Sequence, residues 1–101
     1  MKILIGSYVS YKEQTHVVTK LNDNKTIQIL SPYSGTSSKK SVLESNLELL
    51  PYEPMARVEF SQGEEYLVSV KGTIISLTSC KMMKWDENNG KRKQIIQLAR
   101  G

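Results

Sequence analysis

Apolar and polar positions alternate along most of this chain with the two-residue period of half-buried strands, and helical spacing enters only near its end. Lys25 to Leu30 alternates cleanly, with Ile27 and Ile29 on one side and Thr26 and Gln28 on the other. His16 to Lys20 reads as the strand before it. Asn22-Asp23-Asn24 supplies the turn between them, because these side chains tolerate positive φ. Residues 2–11 predict a first strand bent at Gly6-Ser7, followed by a polar turn at Lys12-Glu13-Gln14. The stretch from Ser31 to Ser38 is rich in turn residues and poor in core residues, as an exposed loop requires. A short strand from Lys39 to Leu43, a single helical turn at Glu44-Ser45-Asn46 and the segment Leu47 to Leu50 complete the first half.

The second half runs in the same order. Val9, Tyr11, His16, Val17, Val18, Thr19, Thr26, Ile27 and Leu30 correspond to Val58, Phe60, Tyr66, Leu67, Val68, Ser69, Thr73, Ile74 and Leu77. Strands are predicted at Ala56–Phe60, Glu65–Val70, Thr73–Leu77 and Lys81–Trp85. Turns are expected at Ser61-Gln62-Gly63, at a two-residue Lys71-Gly72 hairpin, and at Thr78-Ser79-Cys80. Asp86 or Asn88 can cap a helix through Lys91 to Ala99, although Gly90 disfavours helix in its own turn. On a 3.6-residue period Ile95, Ile96, Leu98 and Ala99 form its apolar face, with Lys93, Gln97 and Arg100 towards solvent. The pattern therefore predicts a mainly β protein of two repeated, small-barrel-like antiparallel β-units packed together, with one short C-terminal helix. The units are 1–50 and 57–101, joined by a short linker at 51–56 that Pro51 and Pro54 punctuate. A unit of about fifty residues is marginal alone, so one compact globule is expected.

Within 6–50 the order is strand, polar turn, strand, Asn-rich turn, strand, loop, short strand, helical turn and final strand. That order is similar to the small, strongly bent β-barrels of the Tudor and KOW kind. Gly6-Ser7-Tyr8-Val9-Ser10-Tyr11 and Thr15-His16-Val17-Val18-Thr19-Lys20 resemble the opening pair of such a barrel. Ser45-Asn46-Leu47-Glu48-Leu49-Leu50 resembles its last turn and strand. Residues 57–85 resemble the same hairpins until the helix replaces a closing strand. The resemblance implies a scaffold that holds peptides, modified side chains or nucleic acid against its loops. An aromatic cage for methylated lysine needs clustered rings, and Tyr8, Tyr11 and Tyr33 are the candidates, with Tyr11 expected in the core.

Charge narrows the partner. The 101-residue chain carries a formal net charge of +4 with 39% apolar residues, but the charge is uneven. From Lys71 onward stand Lys71, Lys81, Lys84, Lys91, Arg92, Lys93 and Arg100 against Asp86 and Glu87. The segment 51–70 holds Glu53, Glu59, Glu64 and Glu65 against Arg57 alone. A basic end predicts an anionic partner there, against the plainer reading of a solvated lysine-rich surface. Lys81, Lys84, Lys91, Arg92, Lys93 and Arg100 are the candidate phosphate contacts, and Trp85 and Tyr33 the candidates for stacking on unpaired bases. Lys81 and Lys84 fall on opposite faces of one strand, so only one can join the helix's cations.

Catalytic chemistry finds little to work with. His16 is the one histidine and sits in an apolar strand; Cys80 is the one cysteine. Together they cannot close a zinc site or prepare a nucleophile. Gly35 and Gly90 are isolated, so no phosphate-cradling loop is formed. Glu64-Glu65 and Asp86-Glu87 are neighbours that point to opposite faces of a strand. No catalytic residue, metal or cofactor is expected. A single cysteine fits a reducing compartment, no apolar run approaches the ~18–20 residues of a membrane span, and the cytoplasm is the expected location. The first expectation is a non-enzymatic binding protein that contacts an anionic macromolecule, nucleic acid foremost, through its basic C-terminal region. The alternative is a small protein-interaction or inhibitory module, of the phage or mobile-element type, that binds a host protein through an edge strand or a Met82-Met83-Trp85 anchor. A ligand site at the junction of the two units, or in a homo-oligomer, is a third possibility.

Overall fold

Among the described residues, Val, Ile and Leu at alternate positions fold into two antiparallel sheets, and one helix follows them. The computed structural model describes residues 2–31, 39–83 and 89–101. The first sheet holds β1 (Tyr8–Tyr11), β2 (Gln14–Leu21), β3 (Thr26–Leu30), β4 (Lys40–Leu43) and β5 (Glu48–Leu49), in the order β4-β3-β2-β1-β5. A 3-10 turn at Glu44–Asn46 leads into β5. The second sheet holds β6 (Ala56–Glu59), β7 (Glu65–Val68), β8 (Ile74–Ser76) and β9 (Lys81–Met82), in sequential order. Helix α1 spans Asn89–Ala99. It thus includes Gly90, which the first turn accommodates because N–H groups there have no intrahelical partner to lose. The expected caps Asp86 and Asn88 lie outside the described residues.

Neither sheet closes into a barrel among the described residues, which corrects the expected closure of each unit. β5 is two residues long and pairs with β1 alone. In the second unit α1 packs on β6 and β7, and a helix has no free ladder of N–H and C=O groups with which to close a sheet.

The first hairpins of the two sheets share their geometry. Val9 stands opposite His16 and Val58 opposite Tyr66. Tyr11 meets His16 edge-to-face at 5.8 Å, as Phe60 meets Tyr66 at 5.7 Å. The third strands depart from the sequence correspondence by two residues. Val18 faces Ile29 where Val68 faces Ile74, and Val17 faces Leu30 where Leu67 faces Ile75. A bulge between Val18 and Lys20 and a longer turn carry the first chain further before it returns. The turn after β7 also differs from expectation. Ser69 N–H donates to Thr73 C=O and Gly72 N–H to Ser69 C=O, so the loop has three residues, with Gly72 in the left-handed position at φ +91°.

Each sheet buries both faces, which explains the four consecutive buried residues His16–Thr19 in β2. Val17 and Leu30 of one sheet meet Leu67 and Ile75 of the other around Met55. Beyond that shared layer, Val9, Val18, Ile27 and Ile29 pack under Leu47 and Leu49, while Val58, Tyr66, Val68 and Ile74 pack under Ile95 of α1. The linker is part of this core. Met55 is buried, and its N–H donates to Gly6 C=O at 2.9 Å. Gly6 itself donates to Val18 C=O at 2.8 Å with φ +96°, and an added Cβ would lie 2.6 Å from the Met55 carbonyl oxygen. Only glycine fits that approach.

Candidate functional site

The C-terminal cations divide between the core and the surface. Helix residues 92, 95, 96 and 99 share one face, and the structure buries that face, Arg92 included at 7% exposed. Leu98, expected on the apolar face, is 51% exposed. The Arg92 guanidinium donates to Met83 C=O at 3.3 Å and Gly72 C=O at 3.2 Å, tying α1 to the ends of β8 and β9. A cation at a core-facing position escapes apolar periodicity because its stem packs while its fork finds carbonyls.

Lys91 is engaged as well. Its ammonium donates to the Glu64 carboxylate at 2.7 Å and lies 5.7 Å from the centres of the Phe60 and Tyr66 rings. The Tyr66 hydroxyl donates to the same carboxylate oxygen at 2.6 Å. The Lys91 ammonium, and then the Tyr66 hydroxyl, hold the Glu64 carboxyl below its ordinary value of 4.5. The Glu64 hydrogen bond raises Lys91 above 10.5. Burial, reinforced by the bond to Glu64, raises Tyr66 above 10.0.

Lys93, Gln97 and Arg100 remain on the solvent face and, with Ile96, line a shallow hollow. Lys81 is exposed on β9. Tyr33, Lys84 and Trp85 lie outside the described residues. Of the sequence-derived candidates, the structure therefore brings together Lys93 and Arg100, and takes Lys91 and Arg92 into the packing of the helix. Tyr8 and Tyr11 do not approach one another as a cage would require. Tyr8 joins the inter-sheet layer and meets Tyr52 edge-to-face at 6.0 Å, while Tyr11 joins the opposite layer. Residues three apart in a strand face opposite ways.

At the junction of the two sheets lies a cleft of about 520 Å³. It is lined by Tyr8 and Thr15 of the first sheet, by Pro51, Tyr52 and Glu53, and by Ser69, Val70, Lys71 and Thr73 around the β7–β8 turn. A ligand site at the junction was the third alternative of the sequence, which named Tyr8 and Lys71 for other reasons and did not assign them to it. Its one signal was an aromatic residue between two prolines, Pro51-Tyr52-Glu53-Pro54. Elsewhere, His16 is buried, with Nδ1 3.0 Å from Gln14 C=O. Among the described residues no cluster of three His, Cys, Asp or Glu side chains is placed to hold a metal, and no helix is long and apolar enough to cross a membrane. No protein-family model, curated protein or solved structure matches the chain.

Proposed function

We propose that this chain is a non-enzymatic binding protein that contacts the phosphate backbone of nucleic acid through its C-terminal helix. The observation that carries the reading is the Lys93–Gln97–Arg100 stripe. Its members are four and three residues apart, exposed on one side of α1 and the turn that Arg100 adds at its end, and neither cation has a carboxylate partner among the described residues. Such cations gain affinity by releasing counterions from a polyanion. With two to three contacts, counting exposed Lys81, the slope of log K against log salt on a single strand is about −1.4 to −2. Binding is then weak and indifferent to sequence. A reducing, cytoplasmic setting belongs to this reading and suits the unpaired Cys80. The test is fluorescence anisotropy of labelled single- and double-stranded DNA and RNA at about 50 and 200 mM salt. Binding should weaken roughly tenfold between the two, and absence of binding at the lower salt rejects the reading.

One observation favours a second reading, capture of a host-protein segment. Tyr52 and Val70, 57% and 71% exposed, flank the junction cleft and would serve as apolar anchors. Partner recovery that Tyr52→Ala and Val70→Ser abolish, with the helix stripe intact, would select it over nucleic acid.

A further inference from the structure

The two matching aromatic pairs differ in how their lysines are answered. In the second sheet one ammonium, that of Lys91, sits over Phe60 and Tyr66, and the Glu64 carboxylate neutralises it at 2.7 Å. In the first sheet two ammonium groups converge on one ring. Lys12 Nζ lies 5.4 Å and Lys40 Nζ 5.7 Å from the centre of Tyr11. Lys40 stands three strands away from β1 in sheet order, so the curl of the sheet brings it there. Neither lysine forms an ion pair among the described residues, and Glu13, the turn neighbour of Lys12, forms none either. Two cations are thus gathered at a single ring whose quadrupole is the one answering negative charge, where the second-sheet pair has a carboxylate.

The backbone at this place is strained. Tyr11 pairs with Gln14, so Lys12-Glu13 is a two-residue hairpin turn, and both residues have left-handed φ, +50° and +65°. Asn-Gly meets that geometry at lower cost. Lysine stands there instead, beside an aromatic ring and a second lysine; Lys25, at φ +64°, has the same backbone geometry without such a ring contact, so it is the strain together with the two cations that points to binding.

We propose that Tyr11, Lys12 and Lys40 form a phosphate-binding site, separate from the helix stripe, in which a phosphoryl anion supplies the negative charge that Glu64 supplies in the second sheet. The two ammonium groups held at the Tyr11 ring supply the positive charge that attracts the anion. The phosphoryl group belongs either to a nucleic-acid strand or to a free polyphosphate.

The test follows the aromatic NMR signals of Tyr11 while the full chain is titrated with inorganic tripolyphosphate and, separately, with a short oligothymidylate. Saturable shifts in wild type, lost in Lys12→Gln/Lys40→Gln and retained in the equally neutralised Lys2→Gln/Lys20→Gln, are expected. An oligothymidylate that engages this site adds roughly 1.4 to the salt slope set by the helix stripe, and the first variant should lose that increment. Shifts with tripolyphosphate alone assign the site to free polyphosphate. Shifts with the oligonucleotide assign it to nucleic acid. No shift with either anion overturns the site, even where the oligonucleotide binds through Lys93 and Arg100 and the proposed function stands. Equal loss in the Lys2/Lys20 variant also overturns it, because bulk charge then accounts for binding.

Discussion

Gly6→Ala probes the contact that fastens the linker to the first sheet. Gly6 has φ +96°, and a Cβ there would stand 2.6 Å from the Met55 carbonyl oxygen, a backbone atom that cannot rotate aside. Gly63, with φ +92°, meets nothing within 4 Å. The two positions therefore share the conformational cost of a side chain in the left-handed region, about 1–2 kcal/mol. Only Gly6 adds the clash, and relieving it pulls Met55 from its hydrogen bond to Gly6, worth about 1 kcal/mol, and from the inter-sheet layer. Gly6→Ala should thus cost about 3 kcal/mol or more, and Gly63→Ala about 1 kcal/mol. For a domain of this size those losses lower Tm by roughly 12–24 °C and 4–8 °C. Calorimetric or circular-dichroism melts of both variants give the comparison directly. Equal losses would refute the close approach and with it the claim that the linker is built into the shared core.

Three further outcomes follow from the geometry. The Glu64–Lys91 pair makes stability depend on pH at both ends. Glu64's contribution is complete above 4.5 and is lost as pH falls through its lower folded value, whereas Lys91's is complete below 10.5 and is lost as pH rises through its higher one. Raised Tyr66 adds to the alkaline loss from pH 10.0 upward, and Tm-against-pH curves of wild type and Glu64→Gln should converge at low pH. Arg92→Ala leaves the Met83 and Gly72 carbonyls without its donors and removes a buried stem, costing about 2 kcal/mol; Arg92→Lys should not recover it, since an ammonium has no fork, and chemical denaturation measures both. Lys12→Asn with Glu13→Gly should raise stability by about 1 kcal/mol, or 4–8 °C in Tm, while weakening the anion binding proposed at Tyr11.

Alternation with period two located β2, β3 and β7 because those strands alternate or run apolar between turn residues with recognisable chemistry. The ends of β8 and β9 were shorter than the pattern suggested, since alternation records which positions suit a sheet and not where pairing stops. Barrel closure was not legible, because it depends on partners for β4 and β5 that no local pattern specifies. Arg92 was misplaced for a different reason. Its charge argues for solvent, whereas the carbonyls of Met83 and Gly72, distant in sequence, accept from its guanidinium and help make its burial tolerable. Lys91 likewise looked available until Glu64, 27 positions earlier, proved to be its partner. The stripe Lys93–Gln97–Arg100 was legible, because helical spacing alone places those residues together.

The division of the helix cations into structural and binding pairs is tested most directly by oligonucleotide anisotropy at about 50 mM salt, comparing Lys93→Gln/Arg100→Gln with Lys91→Gln. The double variant should lose binding roughly tenfold at unchanged Tm, whereas Lys91→Gln lowers Tm and binds like wild type. Unchanged binding in the double variant, or loss confined to Lys91→Gln, would contradict it.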